Sequence, residues 1–254
     1  MSCSSQVKNK EVQMKTVLKK FIKKVPPIRK IVKTFDNQKV RDEFVERELE
    51  KIPDGKILLD AGCGSQRYRK YCTHLVYKAQ DFGQFTVDET PSLTAFKNEY
   101  QYGEIDYMGN IWNIDERDEA FDVILCTEVF EHIAYPVETI KEFSRVLKKG
   151  GKLILTAPLS CMRHMDPYYF YSGFSDRWYE EVLPKNGLTI NKICAEGDYY
   201  SWMRAEVGRN LSLGNFWEAM VLFPSFVYFS LKNKTSESAA SLCEGYYVVA
   251  IKEG

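Results

Sequence analysis

The amino-acid sequence predicts an α/β protein built on a doubly wound, mostly parallel sheet. Three observations predict this fold class. Short apolar runs recur along the chain, helical patterns lie between them, and a glycine-rich turn follows the first run. Strands that are buried on both faces and connected by helices are typical of parallel sheets.

Length and composition suit one large domain with additions. The chain has 254 residues, of which 44% are hydrophobic and 14% aromatic, and this composition indicates a globular protein rather than a disordered one. Its seven cysteines include no C-x-x-C pair, so neither a zinc site nor a disulfide framework is expected. Unpaired thiols favour a reducing compartment, and we predict a cytoplasmic location.

The first 45 residues are predicted to form a basic amphipathic helical extension. Residues 1–33 contain ten lysines and arginines against a single acid, Glu11. Apolar residues recur at helical spacing from Met14 to Val25, and Pro26 ends the pattern. Two interpretations stay open: a helix packed on the protein body with a solvated lysine face, or an interfacial helix at the inner membrane face.

The remaining elements follow in order. A helix is predicted at Asp42–Glu50, and another at 136–148, ending at the glycines of "KKGGK". Apolar runs predict strands at 57–61, 74–80, 121–126 and 152–157, with a weaker candidate at 99–105. Two closing strands are predicted in "GLTINKICAEG" and "YYVVAIKEG".

Domain boundaries follow from this order. The main domain is expected to comprise residues 46–198 and 244–254. Residues 199–243 have no counterpart in the alternating pattern and are predicted to be an insertion. A substrate lid, a homodimer contact and a membrane contact are the roles left open for this insertion.

The first strand runs into the glycine turn of "ILLDAGCGSQRY", which contains Gly62 and Gly64. Ligands of doubly wound sheets bind at the carboxyl ends of the strands, where glycines let the backbone approach closely. A dinucleotide site would have a third glycine at position 67, where this chain has Arg67. The turn therefore favours a nucleoside-containing ligand without a pyrophosphate, and disfavours a nicotinamide-dependent oxidoreductase.

Asp81 ends the second strand, in "VYKAQDF". It follows the turn by about 20 residues, the spacing of a carboxylate that accepts hydrogen bonds from ribose hydroxyls. The alternative is that Asp81 caps a following helix. The glycine turn and Asp81 occur in the order expected of a nucleoside site, which favours the ribose role for Asp81.

Five motifs in order now identify a resemblance. The stretches "LLDAGCG", "YKAQDF", "GNIWNI", "AFDVILCTEVFEHI" and "RVLKKGGKLILTAP" together resemble a class I S-adenosylmethionine-dependent methyltransferase, of the type 11 branch. The resemblance covers roughly residues 45–195. It implies a Rossmann-like sheet of seven strands whose last strand is antiparallel, an enzyme that transfers a methyl group, and S-adenosyl-L-methionine as its cofactor.

The resemblance also implies cofactor-binding residues in the first two motifs. Asp60, Gly62 and Gly64 would line the methionine part of the cofactor, and Asp81 would hold the ribose.

The later motifs imply four more positions. Asn110 and Ile111 would contact the adenine, with Asn110 in place of the commoner aspartate; its carbonyl can still accept from the exocyclic amine. Thr127 and Glu128, which follow the fourth strand, would border the methyl group.

Candidate catalytic residues lie after the fifth strand, in "APLSCMRHMDPYYFYSGFSDRWYEEVL". A hydroxyl acceptor needs a proton acceptor, and histidine is the side chain that titrates near neutral pH. His164 is the first candidate, with Asp166 to orient it or accept the proton, and His132 is the second. The aromatic residues around them could instead form a lid without a catalytic role.

Two kinds of ligand are not expected. Glu131 and His132 are adjacent, and neighbours on a helix do not face one ligand, so no metal site is predicted. The aromatic stretch has no basic groove beside it, so nucleic acid is not an expected partner.

The acceptor is inferred from a second resemblance. The pattern "TAPLS…H…PYYFYSGFS…WYEEVL" is similar to sequences that accompany enzymes of surface-glycan assembly. This similarity implies glycan biosynthesis and O-methylation of a sugar or another small hydroxylated acceptor, and a lipid-linked acceptor stays open. The alternative is a noncatalytic partner protein that retains the methyltransferase fold.

Overall fold

The structure, a computed structural model, describes residues 37–95, 98–213 and 216–254. The amphipathic pattern predicted for Met14 to Val25 lies outside these residues. The chain divides into two compact units: one comprises Val40–Trp202 and Lys234–Gly254, and the other includes Met203–Asn233. The predicted domain boundaries stay predictions.

Six α-helices are described: α1 (Asn37–Leu49), α2 (Pro136–Val146), α3 (Asp176–Lys185), α4 (Tyr199–Leu213), α5 (Phe216–Ser230) and α6 (Ser236–Ser241). Two short 3-10 helices add Arg69–Tyr71 and Phe130–His132. The strands are β1 (Ile57–Ala61), β2 (Val76–Asp81), β3 (Tyr107–Met108), β4 (Phe121–Thr127), β5 (Leu147–Pro158), β6 (Leu188–Glu196) and β7 (Gly245–Lys252).

The seven strands form a single sheet in the order β3-β2-β1-β4-β5-β7-β6. β1 pairs in parallel with β2 on one side and β4 on the other. β7 lies between β5 and β6 and is antiparallel to both. The predicted seven-stranded, Rossmann-like sheet with an antiparallel last strand is confirmed.

Helices cover both faces of the sheet because the central strands are apolar on both sides. In β1, Leu58 packs with Val45 and Leu49 of α1, whereas Leu59 belongs to the core that contains Phe143 of α2 and Tyr179 of α3. Alternate residues of a strand point to opposite faces, so neighbours such as these reach separate cores. Parallel pairing of β1 with β2 and with β4 places the carboxyl ends of these three strands at one edge of the sheet.

Helix α2 is shorter than its periodicity predicts. The pattern indicates a helix over 136–148, but α2 ends at Val146 and β5 begins at Leu147. Leu147 pairs with Phe121 of β4, and the Lys148 ammonium donates to the Asp122 carboxylate at 2.8 Å. Pairing of β5 with β4 therefore ends the helix before its apolar pattern ends.

The segments after β1 and β2 contain no α-helix among their described residues. Only the 3-10 turn Arg69–Tyr71 follows β1, and residues 82–106 are irregular apart from the undescribed 96–97. The expected strand at 99–105 is wrong, since the short β3 begins at Tyr107. Backbone groups in this segment bond instead to the glycine turn, as in Gly103 N–H to Gly64 carbonyl at 3.0 Å.

The predicted insertion contains helices α4, α5 and α6. α6 starts with a reciprocal cap, in which the Thr235 hydroxyl accepts from the Ser238 N–H and the Ser238 hydroxyl accepts from the Thr235 N–H. Across the described ranges, we find no helix with the length and apolar character needed to cross a membrane. Lid, dimer and membrane roles for the insertion stay predictions.

Candidate functional site

The glycine turn after β1 is hydrogen-bonded to the end of β2. Gly62 and Gly64 adopt positive φ values of +73° and +48°, which glycine accepts without a Cβ clash. The Gly62 N–H donates to the Gln80 carbonyl at 2.9 Å, and the Gly64 N–H donates to Asp81 Oδ2 at 2.9 Å. The two sequence signals for a nucleoside site, the G-x-G turn and Asp81, are therefore in direct contact.

Asp81 is buried and holds two backbone groups. Its Oδ1 accepts from the Gly83 N–H at 3.1 Å, while Oδ2 accepts from Gly64. Burial raises the pKa of Asp81, and these N–H donors oppose the rise. No helix follows Asp81 within the described part of 82–106, so it is not a helix cap. A carboxylate has about four lone-pair sites, which leaves acceptor capacity for two hydroxyls.

Asp60 lies beneath the turn and is 2% exposed. Its Oδ2 accepts a hydrogen bond from the Tyr77 hydroxyl. Burial raises the pKa of Asp60 to about 7, and the neighbouring Asp81 carboxylate adds to the rise. Contact of Asp60 with the methionine part of a cofactor stays a prediction.

A cavity of about 330 Å³ lies beside the ends of β2 and β3. The residues lining it come from both strands and the loop after β3: Gln80, Asp106, Tyr107, Met108, Gly109, Asn110, Asn113, Ile114 and Asp115. Asn110 lines this cavity as the sequence suggests, whereas Ile111 is buried in the core and does not line it. Its volume is in the range of small-ligand pockets.

Tyr100 lies against the glycine turn. Its hydroxyl would be the nearest atom to a Cβ placed on Gly64, and its ring packs edge-on against Tyr102 at 4.9 Å. Burial raises the pKa of Tyr100, and Asp81 adds to the rise. Sequence reasoning missed this residue because the irregular segment around it has no periodic pattern.

Glu128 follows β4 and is held by two side chains. Its Oε1 accepts from the Thr156 hydroxyl at 3.0 Å, and its Oε2 lies 2.6 Å from Arg41 Nη1. Its backbone has a positive φ of +53° directly after Thr127. Arg41 belongs to α1 and no pattern in the sequence connects it with Glu128, so this ion pair was not predicted.

The two candidate histidines lie together. Their ring centroids are 4.7 Å apart, with the planes at 85°. His132 Nδ1 is 2.8 Å from the Tyr168 carbonyl, and His164 Nδ1 is 2.8 Å from the Met162 carbonyl. A carbonyl only accepts, so we assign the proton to Nδ1 in both rings, and each Nε2 presents a lone pair.

His132 is a weak base at neutral pH. Burial lowers its pKa to about 4, and the adjacent His164 adds to the effect. Proton transfer is most effective when the pKa of the base lies near the working pH. His164, the other predicted base, is partly exposed.

Glu131 and His132 converge, contrary to the sequence argument against a metal. They lie in the 3-10 helix Phe130–His132, where Glu131 Oε1 and His132 Nε2 are 3.7 Å apart. Burial raises the pKa of Glu131, and the Glu128 carboxylate adds to the rise. With His164, these residues bring three potential metal-ligating atoms within 4.8 Å of one another.

Asp166 does not orient His164, and that predicted pairing is wrong. The Asp166 carboxylate accepts from Arg163 Nε at 3.0 Å, and its own N–H donates to the Asp88 carboxylate. The Thr90 hydroxyl and the Arg163 guanidinium lower the pKa of Asp166. Its interactions stabilise the loop, and His164 Nδ1 uses the Met162 carbonyl instead.

Comparison with known proteins agrees with this geometry. The family described as "Methyltransferase domain" matches residues 59–155, which include the glycine turn, Asp81 and the end of β4. The match covers less than half of the chain and agrees with the class I methyltransferase resemblance. The resemblance predicted from the five motifs is confirmed.

A curated relative of this methyltransferase domain is the "Ubiquinone biosynthesis O-methyltransferase" of Saccharophagus degradans. The two sequences are 23% identical over 152 residues. The match covers 59% of this chain and 61% of that relative's length.

Solved structures with a similar fold include a geranyl diphosphate methyltransferase in complex with S-adenosylmethionine, with a TM-score of 0.51, 12% identity and 85% coverage of each chain. The [4+2]-cyclase SpnF has a TM-score of 0.53 and 15% identity, and the match covers 85% of this chain and 82% of that one. At such identities the likeness shows the fold alone. One of these neighbours is a cyclase, so the fold does not determine the activity.

The first prediction concerns Gly62. An added Cβ would lie 2.5 Å and 2.7 Å from the two methyl carbons of Val129, whereas at Gly55, with nearly the same φ of +75°, it would meet nothing within 4 Å. Gly55→Ala should cost about 1–2 kcal/mol of unfolding free energy for the left-handed backbone alone. Gly62→Ala should cost about 1–3 kcal/mol more because of overpacking.

Urea unfolding of both variants measures this difference. Adding Val129→Ala to Gly62→Ala should recover part of the loss, because it removes the two methyl groups. Equal losses at Gly62 and Gly55 would contradict the close approach of Val129.

The second prediction concerns Asp60 and pH. Its pKa is about 7 in the folded protein against an ordinary value of 3.8, so between these values the folded state binds more protons than the unfolded state. Its contribution to stability is present below the ordinary pKa and is lost as pH rises to about 7. In Asp60→Asn, the loss of unfolding free energy with rising pH should be smaller by up to about 1.4 kcal/mol per pH unit.

Urea midpoints measured across this pH range test the expectation. The exposed Asp54→Asn is the matched control and should keep the wild-type slope. An unchanged slope in Asp60→Asn would show that Asp60 does not titrate as described.

Proposed function

We propose that this protein transfers a methyl group from S-adenosyl-L-methionine to a hydroxyl oxygen of a small acceptor. The observation that supports it best is the direct bond between the Gly64 N–H and the buried Asp81 carboxylate. When bound, S-adenosylmethionine supplies an electrophilic methyl group on a sulfonium.

The donor site is proposed at the ends of β1, β2 and β3. The Cβ positions of Gly62 and Gly64 are already filled by Val129 and by the Tyr100 hydroxyl, so both glycines are needed for the packing of the turn. Asp81 retains acceptor capacity for ribose hydroxyls. Asn110 lines the cavity and would contact the adenine. Thr127 and Glu128 border the position of the methyl group.

The geometry of the turn favours a ligand without a pyrophosphate. No α-helix lies between Gly64 and the start of β2 at Val76, a segment that the structure describes in full, so the helix N-terminus that a dinucleotide site uses is missing there. Arg67 stands where the third glycine would be, and its Nε donates to the Asp42 carboxylate at 2.9 Å. Both features favour a ligand with a single adenosyl group and argue against a nicotinamide dinucleotide.

The acceptor is proposed to bind between the end of β4 and the loop after β5. Methyl transfer depends mainly on positioning the acceptor in line with the sulfonium. A hydroxyl must also lose its proton, and His164 is partly exposed with Nε2 available as an acceptor. The curated relative is named as an O-methyltransferase, which supports an oxygen acceptor.

A sugar hydroxyl, free or lipid-linked, is the finer proposal for the acceptor. It is supported by exposed aromatic side chains in the same loop, Phe170 at 49% and Tyr171 at 37%, whose rings could stack on a ligand. The relative's name instead favours a ubiquinone precursor. Peripheral membrane contact and homodimer formation remain predictions from the sequence.

A noncatalytic partner protein with the same fold is the alternative. It is less favoured because the structure has both the Gly64–Asp81 contact and a pair of histidines in contact with each other. Methyl release from the donor to an acceptor distinguishes the two proposals.

The third prediction tests the donor site by isothermal titration. S-adenosylmethionine and S-adenosylhomocysteine should bind the full chain and NAD should not. Asp81→Ala should raise the Kd for S-adenosylhomocysteine at least about tenfold, because the ribose loses a charged acceptor. Asp81→Asn should show a smaller loss, since its amide oxygen still accepts.

Asp54→Ala, an exposed substitution, is the control and should leave the Kd unchanged. Binding of NAD in place of the adenosyl ligands would overturn the proposed function. An unchanged Kd in Asp81→Ala would remove Asp81 from the site.

The fourth prediction concerns His164. His164→Gln should lower kcat by about 10²–10⁴ while the donor Kd stays the same, because it removes proton acceptance and not donor binding. Transfer of a labelled methyl group to a panel of sugars and quinone precursors provides the measurement. His74→Gln, which changes the one histidine of the sequence outside this pair, is the control.

Equal turnover in His164→Gln and the wild type would place proton removal on another group. No transfer to any acceptor, with intact donor binding, would favour the noncatalytic alternative.

A further inference from the structure

Three side chains after β4 and β5 have the arrangement of a metal centre. Glu131 and His132 lie in the 3-10 helix after β4, and His164 lies in the loop after β5. One potential ligand atom from each lies within 4.8 Å of the others. Two imidazole nitrogens and one carboxylate oxygen therefore surround a common point.

Both imidazoles are oriented as metal-binding histidines are. In each ring Nδ1 is 2.8 Å from a backbone carbonyl, that of Tyr168 for His132 and that of Met162 for His164. A metal-bound histidine almost always donates its other ring N–H to such a partner, which sets the tautomer and leaves Nε2 to the ion. Two rings with this arrangement, meeting at 4.7 Å, are an independent indication of a ligand.

The Glu131 carboxylate supports the same conclusion. The residue is 2% exposed, and its Oε2 has no hydrogen-bond partner among the described residues. A buried polar atom without a partner is unfavourable by a few kcal/mol in general, so native structures rarely leave one. A cation at the point shared with the two Nε2 atoms would satisfy it.

The backbone holds the two segments together. The Glu131 carbonyl accepts from the Phe170 N–H at 2.9 Å and from the Tyr171 N–H at 3.2 Å. These bonds anchor the loop that contains His164 to the 3-10 helix that contains Glu131 and His132. The ligand set is therefore held in place by the fold before any ion binds.

From this geometry we propose that Glu131, His132 and His164 bind a divalent transition-metal ion. Imidazole ligands suit ions such as zinc and cobalt, whereas magnesium and calcium prefer sites made of oxygen atoms. Three protein ligands leave a coordination position open, as in catalytic zinc sites. Glu128 is not part of this set, because Arg41 and Thr156 already bind its carboxylate.

The open position gives the ion a role that rests on the proposed function. A divalent ion lowers the pKa of a bound hydroxyl. The acceptor O–H bond would then release its proton to water, while the oxygen forms its bond to the methyl carbon and the sulfonium S–CH₃ bond breaks. With an ion bound, His164 acts as a ligand and not as the proton acceptor.

Cobalt titration of the full chain tests the site without any methyl donor. Protein treated with a chelator should bind one Co²⁺ per chain, with visible absorption bands that report histidine ligation. His164→Gln, His132→Gln and Glu131→Gln should each weaken Co²⁺ binding at least tenfold. His74→Gln should bind as the wild type does, and Mg²⁺ at equal concentration should not displace the cobalt.

Several outcomes would overturn the proposal: no cobalt binding, binding that the three substitutions do not weaken, or displacement by equal Mg²⁺. Circular dichroism of each variant shows whether it is folded, and His164→Gln is decisive if the buried substitutions fail to fold, because His164 is partly exposed. Donor binding is measured separately on the same protein, so failure of the ion site and failure of the donor site are distinguishable.

Discussion

The hydrogen bond from the Gly64 N–H to the Asp81 carboxylate connects the ends of two neighbouring parallel strands. A bond to an ionised, buried carboxylate is stronger than one between neutral groups. It requires a turn with positive φ directly after β1, and Gly62 then packs against Val129 after β4. The ends of β1, β2 and β4 are thereby held in one arrangement, and Glu128 and the 3-10 helix that contains His132 follow the end of β4.

Several buried carboxyl groups lie at this edge of the sheet. The positive charge of Arg41 opposes the effect of burial on the pKa of two of them, Glu131 and Glu196. Burial raises the pKa of Glu196 to about 8, with Glu128 adding to the rise and Arg41 opposing it. Arg41 pairs directly with Glu128, and both groups are largely removed from water. Because a buried charge is expensive without a partner, helix α1 is part of the site and not only a cover for the sheet.

The loop after β5 has a structural part and a chemical part. Asp166 accepts from Arg163 in the same loop, and its N–H donates to Asp88 of the segment after β2, so these bonds hold the loop in shape. The N–H groups of Phe170 and Tyr171 bond to the Glu131 carbonyl and place His164 next to His132. Phe170 and Tyr171 thus hold the loop in place through their backbone N–H groups and not through their rings.

The amino-acid sequence by itself determined the sheet, the glycine turn and the position of Asp81. These depend on apolar periodicity and on the alignment of parallel strand ends, which are local rules. Tertiary structure alone decided the Arg41–Glu128 pair, the approach of Tyr100 and the meeting of Glu131, His132 and His164. Each of those contacts brings together residues from parts of the chain that are far apart in the sequence, and several lie outside regular helices and strands. Their positions follow from packing and hydrogen bonds that no periodic pattern records.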